Sequence, residues 1–183
     1  IMRLIVMGQQ AFGKDVLAKL LETGTDEVVA VYCEPDREGK PVDPIKEFAL
    51  EKGLPVLQPA HFKEQATIDE LAAFDADLMV MAFVNVFVPE AARDTPKHGS
   101  SCFHPSLLPL HRGPSAVNWP IIMGSTKSGF SWFYPSDGLD EGDILLMWEC
   151  EIGPDDTVID LYFKKIYPAA VDSVLEVCDL YRS

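Results

Sequence analysis

Residues 101–113 read SCFHPSLLPLHRG, with a histidine at the end of an apolar run and two prolines, Pro105 and Pro109, stiffening the segment after it. Open α/β sheets bind ligands at the carboxyl ends of their strands, so a strand-end imidazole is well placed for acid–base or oxyanion chemistry. Side chains alternate along a strand, which turns Cys102 and His104 one way and Phe103 the other. The residues alone leave His104 open to three readings: a hydrogen-bonded structural histidine, one half of a Cys102–His104 nucleophilic pair, or a catalytic group in its own right. YPSDGLDEGD (134–143) is the second concentration, with Asp137, Asp140, Glu141 and Asp143 crowded around two glycines. It reads either as a solvated turn or as a loop that closes over a ligand with one carboxylate turned inward. The alternate-residue oxygens of a calcium loop are absent. The four cysteines, at 33, 102, 150 and 178, lack paired spacing, so no metal site is expected.

The elements that would position these groups are legible from periodicity. MRLIVMG (2–8), EVVAVYC (27–33), LPVLQ, DLMVMAF (77–83) and GSSCFH (99–104) read as strands. FGKDVLAKLLETG (12–24), PIKEFALEKG (44–53) and TIDELAAF read as helices between them. This alternation predicts an α/β domain: a doubly wound, Rossmann-like, mostly parallel mixed sheet with helices on both faces. SAVNWPIIMG reads as a helix interrupted by Pro120. GFSWFY (129–134) and DILLMWECEI (143–152) read as an antiparallel pair, and the last stretch as helix broken or kinked near Pro168. GQQAFG after the first strand matches only the outer glycines of a dinucleotide fingerprint, Gly8 and Gly13. NAD is therefore not predicted, although the helix start could hold an anion.

Composition narrows the partners. The 183 residues suit one domain, and no apolar run approaches the roughly 20 residues that span a bilayer. With 29 acidic against 15 basic residues, and no basic stripe, the net charge of −14 argues against nucleic acid as a partner of this chain. Unpaired cysteines in apolar stretches and the lack of a leader pattern suggest a reduced, cytoplasmic protein.

FHPSLLPLHRG followed by DGLDEGDILL resembles the 10-formyltetrahydrofolate-dependent formyltransferase family. Over essentially the whole chain, HPSLLPLHRGPSAVNW, SDGLDEGDILLMWECEI and GQQAFG look closest to its hydrolase branch, the amino-terminal domain of 10-formyltetrahydrofolate dehydrogenase. The resemblance implies His104 and Asp140 as the catalytic pair. The imidazole would stabilise the oxyanion of formyl transfer, and the carboxylate would favour the charged ring and handle the proton. Transferases of the family carry an asparagine two residues before the histidine. Here that position is Cys102, a departure that favours water or a carrier as formyl acceptor over an amine.

The resemblance also implies a folate pocket, lined by Phe83, Val84, Asn85, Val86 and Phe87, by Ser106, Leu107 and Leu108, and by Asp137, Gly138 and Leu139. Arg112 is a candidate contact for an anionic group. The implied function is one-carbon chemistry: 10-formyltetrahydrofolate as donor, with release or transfer of its formyl group. The acceptor would be water, or a domain or carrier in a longer protein of which residues 1–183 are one catalytic domain. The alternatives are an amine formyltransferase acting on methionyl-tRNA or an amino sugar, and a folate-binding module without turnover.

Overall fold

Short unbroken apolar runs become strands, and amphipathic stretches become the helices between them. The computed structural model describes all 183 residues. Its elements are β1 (Arg3–Met7), α1 (Gln10–Thr23), β2 (Glu27–Tyr32), α2 (Pro44–Glu51), β3 (Val56–Leu57), α3 (Gln65–Ala73), β4 (Leu78–Met81), α4 (Glu90–Arg93), β5 (Ser100–His104), α5 (Asn118–Ile122), β6 (Lys127–Phe133), β7 (Ile144–Glu151) and α6 (Tyr167–Arg182). The seven-stranded sheet has the order β3-β2-β1-β4-β5-β6-β7. β1 runs parallel to β2 and β4, and β2 parallel to β3; β6 is antiparallel to β5 and β7. This is the mixed, mostly parallel sheet that the strand–helix alternation predicts. No helix is long and apolar enough to cross a membrane.

Two compact units make up the chain: Ile1–Ser101 with Tyr181–Ser183, and Cys102–Leu180. In the first, Leu4, Ile5 and Val6 on β1 and Leu78, Met79 and Val80 on β4 are fully buried, as strands covered on both faces require. α1 lays Phe12, Val16, Leu17 and Leu20 inward at helical spacing and ends at Gly24, in the left-handed conformation. The glycines of GQQAFG serve close packing. A Cβ on Gly13 would lie 3.2 Å from the Gly8 carbonyl carbon and 3.2 Å from Ile45 Cδ1.

The core of the second unit is aromatic. Phe103 sits 5.6 Å from Phe130 and 5.4 Å from Trp132, and Phe130 stacks on Trp148 at 5.3 Å. Trp132 is fully buried, and its indole N–H donates to Ser173 Oγ at 2.8 Å. Ser173→Ala would orphan that donor. It is expected to lower stability by about 1–3 kcal/mol in urea unfolding, with part recovered when Trp132→Phe removes the donor too.

Local details differ from the periodicity at two prolines. Around Pro120 the helix is only five residues long, with the proline in its first turn, where no amide donor is needed, and Gly124 (φ +70°) beyond its end. Ahead of Pro168 the break takes the form of a π-helical segment, Asp160–Ile166. Proline lacks the N–H of the next i→i−4 bond, and the turn before it widens so that Tyr167 N–H reaches Tyr162 O. The short α4 had no periodic signal to announce it.

Candidate active site

The candidate pair lies within the second unit, His104 at the end of β5 and Asp140 in the loop between β6 and β7. The ring is held from both sides. Its Nε2 lies 2.8 Å from the His111 carbonyl oxygen, and its Nδ1 lies 3.4 Å from Asp140 Oδ2. Both side chains are shielded, at 8% and 18% exposure. The carbonyl can only accept, so Nε2 carries a hydrogen and the imidazole plane is fixed. Proton exchange with a ligand is left to Nδ1, beside the carboxylate.

Backbone geometry builds this arrangement. His111 (φ +55°) and Gly113 (φ +80°) are in the left-handed region, as is Asp140 (φ +48°). The turn at 111–113 aims the His111 carbonyl at His104, while the Gly113 N–H donates to Asp140 Oδ2 at 2.6 Å. Between them, Arg112 Nη1 reaches Glu141 Oε1 at 3.5 Å, a half-exposed pair that adds little energy. The guanidinium proposed from sequence to meet an anion is thus engaged by a carboxylate of the neighbouring loop.

The segment between the two histidines is fastened by hydroxyls. Ser131 on β6 stands opposite His104 in register and is fully buried. Its Oγ donates to the Ser106 carbonyl at 2.8 Å and accepts the Leu108 N–H at 3.2 Å. Ser106 Oγ donates to the Leu110 carbonyl at 2.6 Å. Ser106 and Leu108 are themselves buried and build the loop, whereas Leu107 is partly exposed. Ser131 is not marked by any sequence motif; a lone serine inside the apolar run GFSWFY was the available signal.

Of the acidic loop, Asp137 and Leu139 are exposed and Gly138 is half-buried, its N–H donating to Ser136 Oγ at 3.3 Å. Cys102 sits two residues before His104. Burial, with the negative charge of Asp140 adding to it, pushes its thiol up to about 12, and the Sγ lies 3.8 Å from the Phe103 carbonyl. A thiol held in that form is a poor nucleophile, and the Cys102–His104 dyad loses its chemical basis.

The first unit contributes a separate crevice, at the carboxyl ends of β1, β2 and β4. Phe83, Val84, Asn85 and Val86 line it; Phe87, the fifth residue of that segment, is 56% exposed. The start of α1 is not open to a phosphate. The Gln10 N–H donates to both carboxylate oxygens of Asp43, at 2.8 and 3.0 Å, so the helix carries its own anion.

Comparison with known proteins places the chain in a family. The Formyl transferase family matches residues 2–171. The chain is 43% identical over 184 residues to the cytosolic 10-formyltetrahydrofolate dehydrogenase of Homo sapiens, covering 98% of this chain but 20% of that protein. It therefore spans about a fifth of such relatives. It is 36% identical to the methionyl-tRNA formyltransferase of Fusobacterium nucleatum, covering 99% of this chain and 59% of that one. Among solved structures, the phosphoribosylglycinamide formyltransferases of Coxiella burnetii and Streptococcus pneumoniae superpose with a TM-score of 0.80 each, at 20% and 18% identity. They cover 98% and 100% of this chain, and 85% and 100% of theirs. At that identity the superpositions speak for the fold; the sequence match along nearly the whole chain speaks for kinship, and the chain belongs to the formyl transferase family.

Proposed function

We propose that the chain binds 10-formyltetrahydrofolate and releases its formyl group to water, or passes it to an acceptor presented by another part of a longer protein. The observation that carries this reading is the His104–Asp140 pair with Nε2 tied to a carbonyl, which leaves Nδ1, beside the Asp140 carboxylate, as the ring nitrogen that exchanges a proton with a reacting group. Within the second unit, the donor's pterin side would rest on the 137–139 backbone. The formyl oxygen would accept a hydrogen bond from the protonated Nδ1. As water attacks the formyl carbon, Asp140 takes one of its protons, and the charged ring stabilises the tetrahedral oxyanion. Collapse breaks the bond from carbon to N10, which receives the proton from Asp140. Formate and tetrahydrofolate leave. Cys102 offers no strong donor to that oxyanion, and a missing donor typically lowers the rate by roughly 10²–10³-fold.

Incubation with 10-formyltetrahydrofolate tests this, with formate and tetrahydrofolate quantified with and without a small amine acceptor. Stoichiometric formate unaffected by amine is the expected result. Formylated amine as the main product would move the assignment to amine transfer. Tight binding of a deaza analogue with no product of either kind would leave only a folate-binding module.

A further inference from the structure

The second unit holds an open cavity of about 460 Å³ that formyl transfer does not use. One wall is a stripe of α6, Ala169, Asp172, Ser173 and Glu176, spaced so that they share a helix face. The other wall is Phe130 on β6 with Leu146 and Trp148 on β7. Side chains alternate along strands, and the register sets His104 beside Ser131, Trp132 beside Leu146 and Phe130 beside Trp148. The aromatic wall therefore lies on the opposite face of the sheet from His104 and Ser131.

The space has a local cause. α6 buries Ala170, Val174, Val177 and Cys178 in the core, and the neighbouring stripe overhangs β7, the last strand of the sheet. There Ala169 offers only a methyl group, so Leu146 and Trp148 stay partly uncovered. The chemistry of the walls then specifies the occupant. Ser173 is already committed: its Oγ accepts from the Trp132 indole N–H at 2.8 Å and donates to the Ala170 carbonyl at 2.6 Å. The remaining polar side-chain groups are two carboxylates, Asp172 and Glu176, one helical turn apart, and the indole N–H of Trp148. No basic side chain lines the cavity. Like charges at that spacing repel each other, and a single N–H cannot offset two carboxylates for an incoming anion. Trp148, stacked on Phe130 at 5.3 Å and 19°, belongs to a surface that takes up flat apolar groups and attracts cations.

We infer that this cavity binds a small organic cation: an amidinium, guanidinium or ammonium group on a flat apolar body. The cation pairs with Asp172 and Glu176, and its body packs on Trp148 and Leu146. Planar cations with several N–H donors suit the site best, because their donors can be shared between two carboxylates. A volume of this size is ordinary for a small-molecule site. Such a site is separate from formyl transfer, lies across the sheet from His104, and is read without turnover.

The whole chain, isotopically labelled, would be titrated with three molecules of one shape: benzamidine, a cation; benzamide, neutral; and benzoate, an anion. Benzamidine is expected to move the Trp148 indole N–H signal saturably. Benzamide should bind about 10-fold more weakly or worse, since the charge-assisted bonds are lost, and benzoate should leave the signal unmoved. Glu176→Gln should weaken benzamidine several-fold. Ala169→Leu puts a larger side chain into the space and should weaken benzamidine by about 10-fold or more. In that variant the Tm should hold, and the Trp132 indole signal, fixed by Ser173, should stay in place. Equal affinity for benzamidine and benzamide would overturn the inference. So would the lack of a saturable shift with benzamidine, or benzamidine affinity unchanged in both variants.

Discussion

His104→Ala is expected to reduce formate release from 10-formyltetrahydrofolate by roughly 10³-fold or more, while a deaza analogue still binds within a few-fold of wild type. General acid–base participation and oxyanion stabilisation each contribute about 10²–10⁴-fold. Here one imidazole, fixed between the His111 carbonyl and Asp140, would supply both. Asp140→Asn separates charge from architecture. An amide oxygen can still accept the Gly113 N–H that Asp140 holds at 2.6 Å, so the loop keeps its anchor while the proton acceptor is lost. That variant should fold normally and lose roughly 10²-fold or more in kcat with little change in KM. Single-turnover formate assays beside equilibrium binding of the analogue decide the matter. If His104→Ala retains more than a tenth of wild-type turnover, the pair is structural and the chemistry lies elsewhere.

Around the candidate site runs a chain of hydrogen bonds that holds the segment after His104. Ser131 fastens Ser106 and Leu108, Ser106 fastens Leu110, and the segment so held presents the His111 carbonyl to Nε2. Each link is a neutral hydrogen bond of modest net worth, about 0.5–1.5 kcal/mol. Their joint effect is geometric. The imidazole keeps one orientation without the substrate having to impose it, which is how preorganised sites gain rate.

Legibility in the sequence tracks the range of the forces involved. The strands could be read because burial on both faces demands unbroken apolar runs such as LIVM and LMVM, and α1 because its stripe repeats at helical spacing. His104 stood out as a strand-end histidine, and Asp140 through a motif resemblance; the structure brings them to 3.4 Å. The rest arises from contacts distant along the chain or from backbone conformation. Nothing local marks Ser131 as the fastener of a loop some 25 residues earlier, since only the β5–β6 register sets the two together. The His111 carbonyl is aimed by a positive φ that composition does not announce. Glu34, Gln9 and Asn85 meet only when β1, β2 and β4 align, and Asp43 caps α1 from 33 residues away.

Gly142→Ala is expected to damage the site nearly as much as Asp140→Asn, although residue 142 carries no functional side chain. Gly142 has φ +125°, a conformation that residues with a Cβ rarely adopt. A Cβ built there would overlap the Tyr134 carbonyl oxygen, at the neck where the Tyr134 N–H donates to the Asp143 carbonyl at 2.9 Å. Backbone cannot swing aside, so the neck must open, and Asp140, two residues away and itself at φ +48°, moves with it. Strain of this kind costs about 1–3 kcal/mol, and the clash adds to it. Gly138 in the same loop is the control. Its added Cβ would run into the Glu141 carboxylate, but a half-exposed glutamate can rotate clear at the expense of a weak pair with Arg112. Urea unfolding and formate release on both variants distinguish backbone from side-chain obstruction. Gly142→Ala should lose about 1 kcal/mol of stability or more and roughly 10²-fold in turnover, while Gly138→Ala stays near wild type. Equal effects at the two glycines would mean that the loop yields as a whole, and that Asp140 is not held in place by the neck beneath it.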